Sequence, residues 1–147
     1  MINVLVVEDS PTIRELLVNL LEQDPEIRVV GQAENGGKAV EMAARLHPDL
    51  ITMDIVMPDM NGLEATRRIM ETNPTAILIV TAHADSPELN VAFEALQAGA
   101  LDIISKPIAF QRKKGVWEKD LAAKVKSLVK RRPSRVDENN DRPENNE

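Results

Sequence analysis

The sequence contains no cysteine, no tyrosine and only two histidines, and aromatic residues make up 2% of its 147 positions. Without cysteine, the chain can form neither a disulfide framework nor a cysteine-based zinc site. The two histidines, His47 and His83, are too few and too scattered for a histidine metal cluster. No apolar run approaches the roughly 18 residues that a membrane span requires, and Met1 leads into an apolar stretch without the basic start of a signal peptide. We therefore expect a soluble, cytoplasmic protein.

Charge is distributed unevenly along the chain. Residues 1–105 carry a net charge of −11, residues 106–132 carry +8 and residues 133–147 carry −3, which gives −6 in total. An acidic body with one basic segment argues against a nucleic-acid binder, and aromatic residues do not interleave with the lysines of the last predicted helix. The acidic body is instead typical of a protein whose site binds a cation.

Short apolar stretches alternate with amphipathic stretches between residues 2 and 131. The apolar stretches have the length and composition of buried strands, and the segments between them place apolar residues at helical spacing. The predicted strands are Val4–Val7, Ile27–Gly31, Leu50–Asp54, Ala76–Thr81 and Leu101–Ile104. The predicted helix starts are Ser10-Pro11, Asn35-Gly36-Gly37, Gly62 and Ser86-Pro87. This alternation predicts an α/β fold, a five-stranded parallel sheet with helices on both faces. Residues 132–147 are almost entirely polar, which predicts a disordered tail or linker after a single domain of residues 1–131.

Polar residues stand at the carboxyl ends of four predicted strands. Glu8 and Asp9 follow the first strand, Asp54 ends the third, Thr81 ends the fourth and Lys106 follows the fifth. Each residue alone has an ordinary explanation, as part of a turn, a cap, a strand or the surface. Because parallel strands end at the same edge of a sheet, and functional crevices lie at that edge, we expect these residues to lie together.

The three carboxylates of this group would repel one another, which raises the pKa of at least one of them unless a cation neutralises the cluster. An all-oxygen cluster selects a hard ion, and Mg²⁺ is the first candidate, with Mn²⁺ as the alternative. With that ion bound, Asp54 stays ionised and can attack a phosphorus atom. Lys106 would offset charge on the phosphoryl oxygens and Thr81 would donate a hydrogen bond to one of them. The predicted product is an aspartyl phosphate.

From Ile2 to about Arg131 the sequence resembles a two-component response-regulator receiver domain. The resemblance rests on VLVVEDS, on the strand ending at Asp54, on MPDMNG, VTA and GALDIISKP, and on the spacing between them. It implies a flavodoxin-like, doubly wound (βα)5 fold with strand order 2-1-3-4-5. It also implies a signalling switch that takes a phosphoryl group from a sensor histidine kinase or a phosphotransfer domain.

The resemblance implies a role for each acid. Asp54 would be the phosphoacceptor, and the metal ligands would be Asp9, Asp54 and the backbone carbonyl of Val56. Glu8 would act through the water shell of the metal. The protein would catalyse its own phosphorylation and dephosphorylation.

The resemblance also implies that Thr81 and Lys106 contact the phosphoryl group and that the bond from Lys106 to Pro107 is cis. Many receivers carry Tyr or Phe three residues before the lysine, and that ring turns inward on activation. This chain has Ile103 there, so we expect a backbone shift of the loops after the fourth and fifth strands instead. His83, two residues after Thr81, is expected beside the water path, where it could tune dephosphorylation.

Within that family, the sequence is most similar to the receiver of chemotaxis protein-glutamate methylesterases. The stretches VVEDSPTIRELL, DPEIRVVGQAENG and LAAKVKSL, and the long connection before the last helix, carry this similarity. The chain has no G-x-S-x-G elbow, and its two histidines cannot complete a Ser/His/Asp set, so it lacks a methylesterase catalytic domain. It is then a fragment or a free-standing relative, and the sequence identifies neither its kinase nor its effector.

Other classes of protein fit the sequence less well. A phosphatase with an aspartate nucleophile needs a second Asp where this chain has Val56, and a flavin carrier needs a Ser/Thr-rich loop where it has Glu8 and Asp9. The segment 31–39 is only superficially like a P-loop, because its lysine stands one place late and no Ser/Thr follows. A receiver-like interaction module without phosphochemistry would lack an acid, the lysine or the hydroxyl, and none is lacking.

Overall fold

The computed structural model of the chain describes residues 1–82, 88–106 and 116–131. Several expectations concern residues outside these ranges. They are the role of His83, the helix start at Ser86-Pro87, the cis bond to Pro107 and the tail from residue 132 onward.

Strands and helices alternate along the described chain as the sequence predicts. The strands are β1 (Ile2–Val7), β2 (Ile27–Ala33), β3 (Leu50–Asp54), β4 (Ala76–Thr81) and β5 (Asp102–Ser105). The helices are α1 (Pro11–Glu22), α2 (Gly36–Leu46), α3 (Gly62–Thr72), α4 (Glu88–Ala98) and α5 (Val116–Val129). None of these helices, within the ranges that the structure describes, has both the length and the apolar character needed to cross a membrane.

The strands form one parallel sheet in the order β2-β1-β3-β4-β5, which confirms the predicted fold class and strand order. Helices α1 and α5 bury apolar residues against one face of the sheet, and α2, α3 and α4 bury theirs against the other. Strands β3 and β4 are buried along their whole length, as expected for parallel strands covered on both sides. This arrangement places the carboxyl ends of all five strands at one edge.

Side-chain caps begin three of the helices next to that edge. Ser10 accepts a hydrogen bond from the backbone N–H of Ile13 at the start of α1. Asn35 and Asn61 cap α2 and α3 in the same way, with N···O distances of 2.8 and 2.9 Å. These caps satisfy backbone donors that helices leave unpaired, and they therefore define where each of the three helices starts.

Three strands differ from the prediction at their ends, and the first of them, β1, begins at Ile2 rather than at Val4. Strand β2 continues to Ala33 rather than ending at Gly31, because β1 runs to Val7 and pairs with β2 along its whole length. Strand β5 is Asp102–Ser105 rather than Leu101–Ile104, because its register with β4 pairs Leu78 with Asp102. Pairing between strands, rather than local composition, sets the last two of these boundaries.

Strand β5 is the shortest strand of the sheet. It has four residues, all half-buried, and it lies at the sheet edge beyond β4. Helix α5 covers one face of it, and Lys124 of α5 contacts Asp102 of β5 at 2.7 Å. A second ion pair, between Lys126 and Asp24 at 2.8 Å, joins α5 to the end of α1.

Candidate functional site

All five residues predicted at the strand ends lie along the same edge of the sheet. Glu8 follows β1, which pairs with β3, so that it lies next to Asp54 at the end of β3. Asp54 pairs with Val80, directly before Thr81. The backbone N–H of Lys106 donates to the carbonyl of Thr81 at 2.7 Å. The strand register thus brings acids, hydroxyl and lysine together.

Three acids form the centre of the site. Glu8, Asp9 and Asp54 each offer a carboxylate oxygen, and these oxygens all lie within 4.8 Å of one another. Glu8 and Asp54 are almost completely buried, with 0% and 1% exposure, whereas Asp9 is exposed. The cluster therefore consists of two buried carboxylates, those of Glu8 and Asp54, and one that is open to solvent, that of Asp9.

Lys106 lies against the two buried acids. Its Nζ atom is 3.2 Å from Oδ1 of Asp54 and 3.2 Å from Oε1 of Glu8. It also donates a hydrogen bond to Oε2 of Glu8 at 3.2 Å. The lysine side chain is 17% exposed, so this ion pair lies in a largely desolvated setting, where charge interactions are strong.

Burial and crowding change the protonation of Asp54. Desolvation of the carboxylate, followed by repulsion from Glu8, raises the pKa of Asp54 to about 8, and attraction to Lys106 only partly opposes this. Burial alone would lower the pKa of Lys106, but the charges of Asp54 and Glu8 raise it above its ordinary value. The site therefore holds one positive side chain against more negative charge than it can neutralise.

The donor set fits a divalent cation. Within the described residues, Oδ2 of Asp54 is buried with neither a hydrogen bond nor an ion pair, and Oδ1 of Asp54 and Oε1 of Glu8 have only the ion pair with Lys106. A buried carboxylate oxygen left in this state is costly, and a bound cation would satisfy it. The three ligands are all carboxylates, which suits a hard divalent ion of the Mg²⁺ type.

Thr81 and Val56 stand at the margins of this cluster. Thr81 is buried at the end of β4 and pairs with Ser105 across the edge. Val56 lies in the loop after β3, two residues beyond Asp54, and its side chain is 56% exposed. Both occupy the part of the sheet edge where the sequence places them, and their chemical roles remain predictions.

The residues that hold Glu8 in place were not predicted from the sequence. The side chain of Arg14 donates to the backbone carbonyl of Glu8 at 2.7 Å, and the backbone N–H of Ser10 donates to Oε2 of Glu8 at 3.1 Å. The N–H of Glu8 itself donates to the carbonyl of Ala33 at 2.9 Å. Arg14 stands four residues after the Ser10 cap, so helical spacing predicts that it lies on the same face of α1 as Ser10, one turn further along the helix.

Sequence comparison relates the chain to receivers and to longer methylesterases. The sequence model described as "Response regulator receiver domain" matches residues 4–114. A protein-glutamate methylesterase/protein-glutamine glutaminase 1 of Syntrophus aciditrophicus is 52% identical over 128 residues, which cover 87% of this chain and 37% of that protein. The corresponding protein of Nitrosospira multiformis is 44% identical over 129 residues, covering 88% of this chain and 35% of its own length. The chain therefore spans a little over a third of the length of these relatives.

Structural comparison agrees with the sequence match. The response regulator domain of Thermotoga maritima CheB has a TM-score of 0.79 and 37% identity, with 90% of this chain and 99% of that chain covered. A chain of the CheX–CheY–BeF3–Mg²⁺ complex from Borrelia burgdorferi has a TM-score of 0.72 and 25% identity, with 86% and 88% covered. In receivers an aspartate accepts a phosphoryl group in response to signalling. From its sequence, its fold and the acids at its sheet edge, the chain belongs to the response regulator receiver domain family and resembles the regulatory domain of CheB.

Proposed function

We propose that Asp54 is the phosphoacceptor of a switch in a chemotaxis signalling system. The observation that carries this proposal is the state of the Asp54 carboxylate. It is 1% exposed, its Oδ2 atom has neither a hydrogen bond nor an ion pair among the described residues, and its Oδ1 atom lies 3.2 Å from Nζ of Lys106. A carboxylate held ready at the end of a strand, beside two further acids and a lysine, suits nucleophilic attack on phosphorus.

The proposed donor is a phosphohistidine of a sensor kinase or phosphotransfer protein. A carboxylate oxygen of Asp54 forms a bond to phosphorus, the phosphorus–nitrogen bond breaks, and its electron pair stays on the imidazole. Lys106 offsets the negative charge on the transferred group, and Thr81 donates a hydrogen bond to one of its oxygens. Later attack by water on the aspartyl phosphate releases inorganic phosphate and resets the switch.

Glu8, Asp9, Asp54 and the carbonyl of Val56 are the residues proposed to hold the ion, with Glu8 acting through bound water. The proposed ion is Mg²⁺, with Mn²⁺ as a substitute, and when bound it supplies charge that keeps Asp54 ionised and neutralises the phosphoryl oxygens. The Mg²⁺ and BeF3 named for the related Borrelia complex support this assignment.

The output is proposed to resemble that of the methylesterases whose receivers this chain matches. Ile103 packs against the core from β5, and it has no ring that could turn inward. We therefore propose that phosphorylation moves the backbone after β4 and β5. Addition of beryllofluoride and Mg²⁺ should shift the amide NMR signals of residues 96–106, and signals that stay in place would contradict this route.

The proposal is tested by incubation with acetyl phosphate and either Mg²⁺ or Mn²⁺, followed by intact-protein mass spectrometry. The wild type should gain one phosphoryl group, and chelation with EDTA should prevent the gain. Asp54→Asn should gain none. Asp59→Asn is the matched control, because it makes the same chemical change at an exposed acid of the neighbouring loop, and it should react like the wild type.

Two results would contradict the proposal. One is a wild type that gains no phosphoryl group at millimolar donor and ion, which would favour an interaction module without phosphochemistry. The other is an Asp54→Asn variant that is modified as readily as the wild type, which would place the acceptor elsewhere. Lys106→Met should still bind the ion but react more slowly, since the lysine acts on the transferred group.

A further inference from the structure

Two backbone hydrogen bonds hold the loop between β3 and α3, residues 55–61. At its base, the N–H of Gly62 donates to the carbonyl of Ile55 at 2.9 Å. Two residues before Gly62, the carbonyl of Met60 accepts a hydrogen bond of 3.0 Å from the N–H of Gly36, the first residue of α2. The loop therefore rests on the beginning of a helix that is distant from it in sequence.

Gly36 allows this contact because it has no side chain. A Cβ atom at position 36 would lie 2.4 Å from the carbonyl oxygen of Met60 and 2.9 Å from its Cβ and Cγ atoms. The nearest of these atoms belongs to the backbone, so no rotation of a side chain could relieve the clash. An alanine at this position must displace either the loop or the start of α2.

Gly37, the next residue, has no such restriction. The nearest atom to a Cβ at that position is Oδ1 of Asn35 at 3.5 Å, which is an ordinary contact. Neither glycine has a positive φ, so alanine can adopt the observed backbone conformation at both positions. The two residues occupy the same turn of α2 and differ mainly in what a methyl group would meet.

We propose that Gly36 is a positioning residue for the divalent-cation site, through its contact with Met60. This inference rests on the proposed function, in which the loop supplies the carbonyl of Val56 as a ligand. A displaced Met60 changes the path of a loop that is only seven residues long and that is fixed at its base against Asp54. The contact thus links the start of α2 to the geometry of the ion site.

The link works in both directions, because coupling between two events in one equilibrium is reciprocal. An ion that orders the loop should also protect the amide of Gly36, whose partner is the loop carbonyl of Met60. The amide of Ala39, which donates to the carbonyl of Asn35 within α2, should change much less. This difference in hydrogen exchange can be measured in the unmodified protein.

The test compares Gly36→Ala with Gly37→Ala in the full chain. Mg²⁺ is titrated into each protein and its affinity is measured by calorimetry, while far-UV circular dichroism and thermal unfolding in EDTA report the fold. Changes around metal ligands typically weaken binding by 10- to 100-fold, and we expect a loss of about 10-fold for Gly36→Ala. Gly37→Ala should stay within about 2-fold of the wild type.

The outcomes separate this inference from the proposed function. A wild type that binds no Mg²⁺ contradicts the proposed function itself. Equal Mg²⁺ affinity in the wild type and both variants contradicts only the role of Gly36. Should Gly36→Ala fail to fold, hydrogen exchange in the wild type decides the question, because a Gly36 amide that exchanges equally fast with and without Mg²⁺ would overturn the inference.

Discussion

Replacement of Asp54 by asparagine should stabilise the metal-free protein, although it destroys the proposed acceptor. The asparagine side chain has nearly the same shape but no charge. It therefore removes a buried carboxylate that has one ion pair, from Lys106 to Oδ1, and no partner at Oδ2 among the described residues. Removal of one partner of a buried ion pair usually destabilises a protein. A gain in stability would therefore show that burial of the Asp54 charge costs more than its ion pair with Lys106 contributes.

The magnitude follows from the pKa of Asp54, which is about 8 in the folded protein against an ordinary value of 3.8. One pKa unit corresponds to 1.36 kcal/mol, so at pH 7 the shift costs the folded state about 4 kcal/mol. Asparagine brings an amide that must itself find partners, which reduces the gain. We expect Asp54→Asn to unfold with a free energy about 2–4 kcal/mol larger than that of the wild type.

The sign of the pH dependence is also determined. The pKa of Asp54 is higher in the folded than in the unfolded state, so between pH 3.8 and about pH 8 the folded protein binds more protons. The stability of the wild type therefore falls as pH rises through this window. Relative to Asp54→Asn, it should lose about 1.4 kcal/mol per pH unit until about pH 8 and then level off.

Urea unfolding in EDTA at several pH values, followed by circular dichroism, measures both quantities. Asp59→Asn is the control for the removal of a nearby exposed charge. Addition of Mg²⁺ should stabilise the wild type far more than Asp54→Asn, because ligand binding to the folded state alone adds stability. An Asp54→Asn variant no more stable than the wild type at pH 8 in EDTA would refute the reasoning.

Two further predictions concern residues outside the ion site. Thr52 lies fully buried in β3, and its hydroxyl has no hydrogen-bond partner among the described residues. Thr52→Val should therefore raise the free energy of unfolding by about 1 kcal/mol. A loss of stability would show that the hydroxyl does have a hydrogen-bond partner. Burial alone would raise the pKa of Asp102, but the hydrogen bond from Lys124 lowers it below 3.8. The ion pair therefore contributes stability that is lost as the pH falls through that lowered pKa. In Lys124→Ala the carboxyl NMR signal of Asp102 should titrate at a higher pH, and an unchanged midpoint would remove Lys124 as the cause.

The fold was predictable because each strand and helix is indicated by a pattern within a short stretch of the sequence. Each strand is a short apolar run, each helix has an apolar stripe, and three helices start at a side-chain cap, namely Ser10, Asn35 and Asn61. The rule that parallel strands end at one edge then placed Glu8, Asp54 and Lys106 together before any distance was known. The structure confirms that placement.

The details that escaped prediction depend on contacts between distant segments. Sequence reasoning predicted that one acid would have a raised pKa, but burial decides that this acid is Asp54 rather than the exposed Asp9. The contact of Gly36 with Met60 joins two segments that no motif connects. The same holds for the end of β2, which its pairing with β1 determines.

The position of β5 has a consequence for how the site can change over time. This strand is short, half-buried and hydrogen-bonded to the sheet on one side only, and segments of this kind open at a smaller free-energy cost than a central strand does. Lys106 directly follows it, whereas Asp54 ends the fully buried β3. The positive partner of the acids thus follows a short edge strand, whereas Asp54 ends a strand that is paired on both sides. We therefore expect Lys106 to move away from the site more readily than the Asp54 carboxylate.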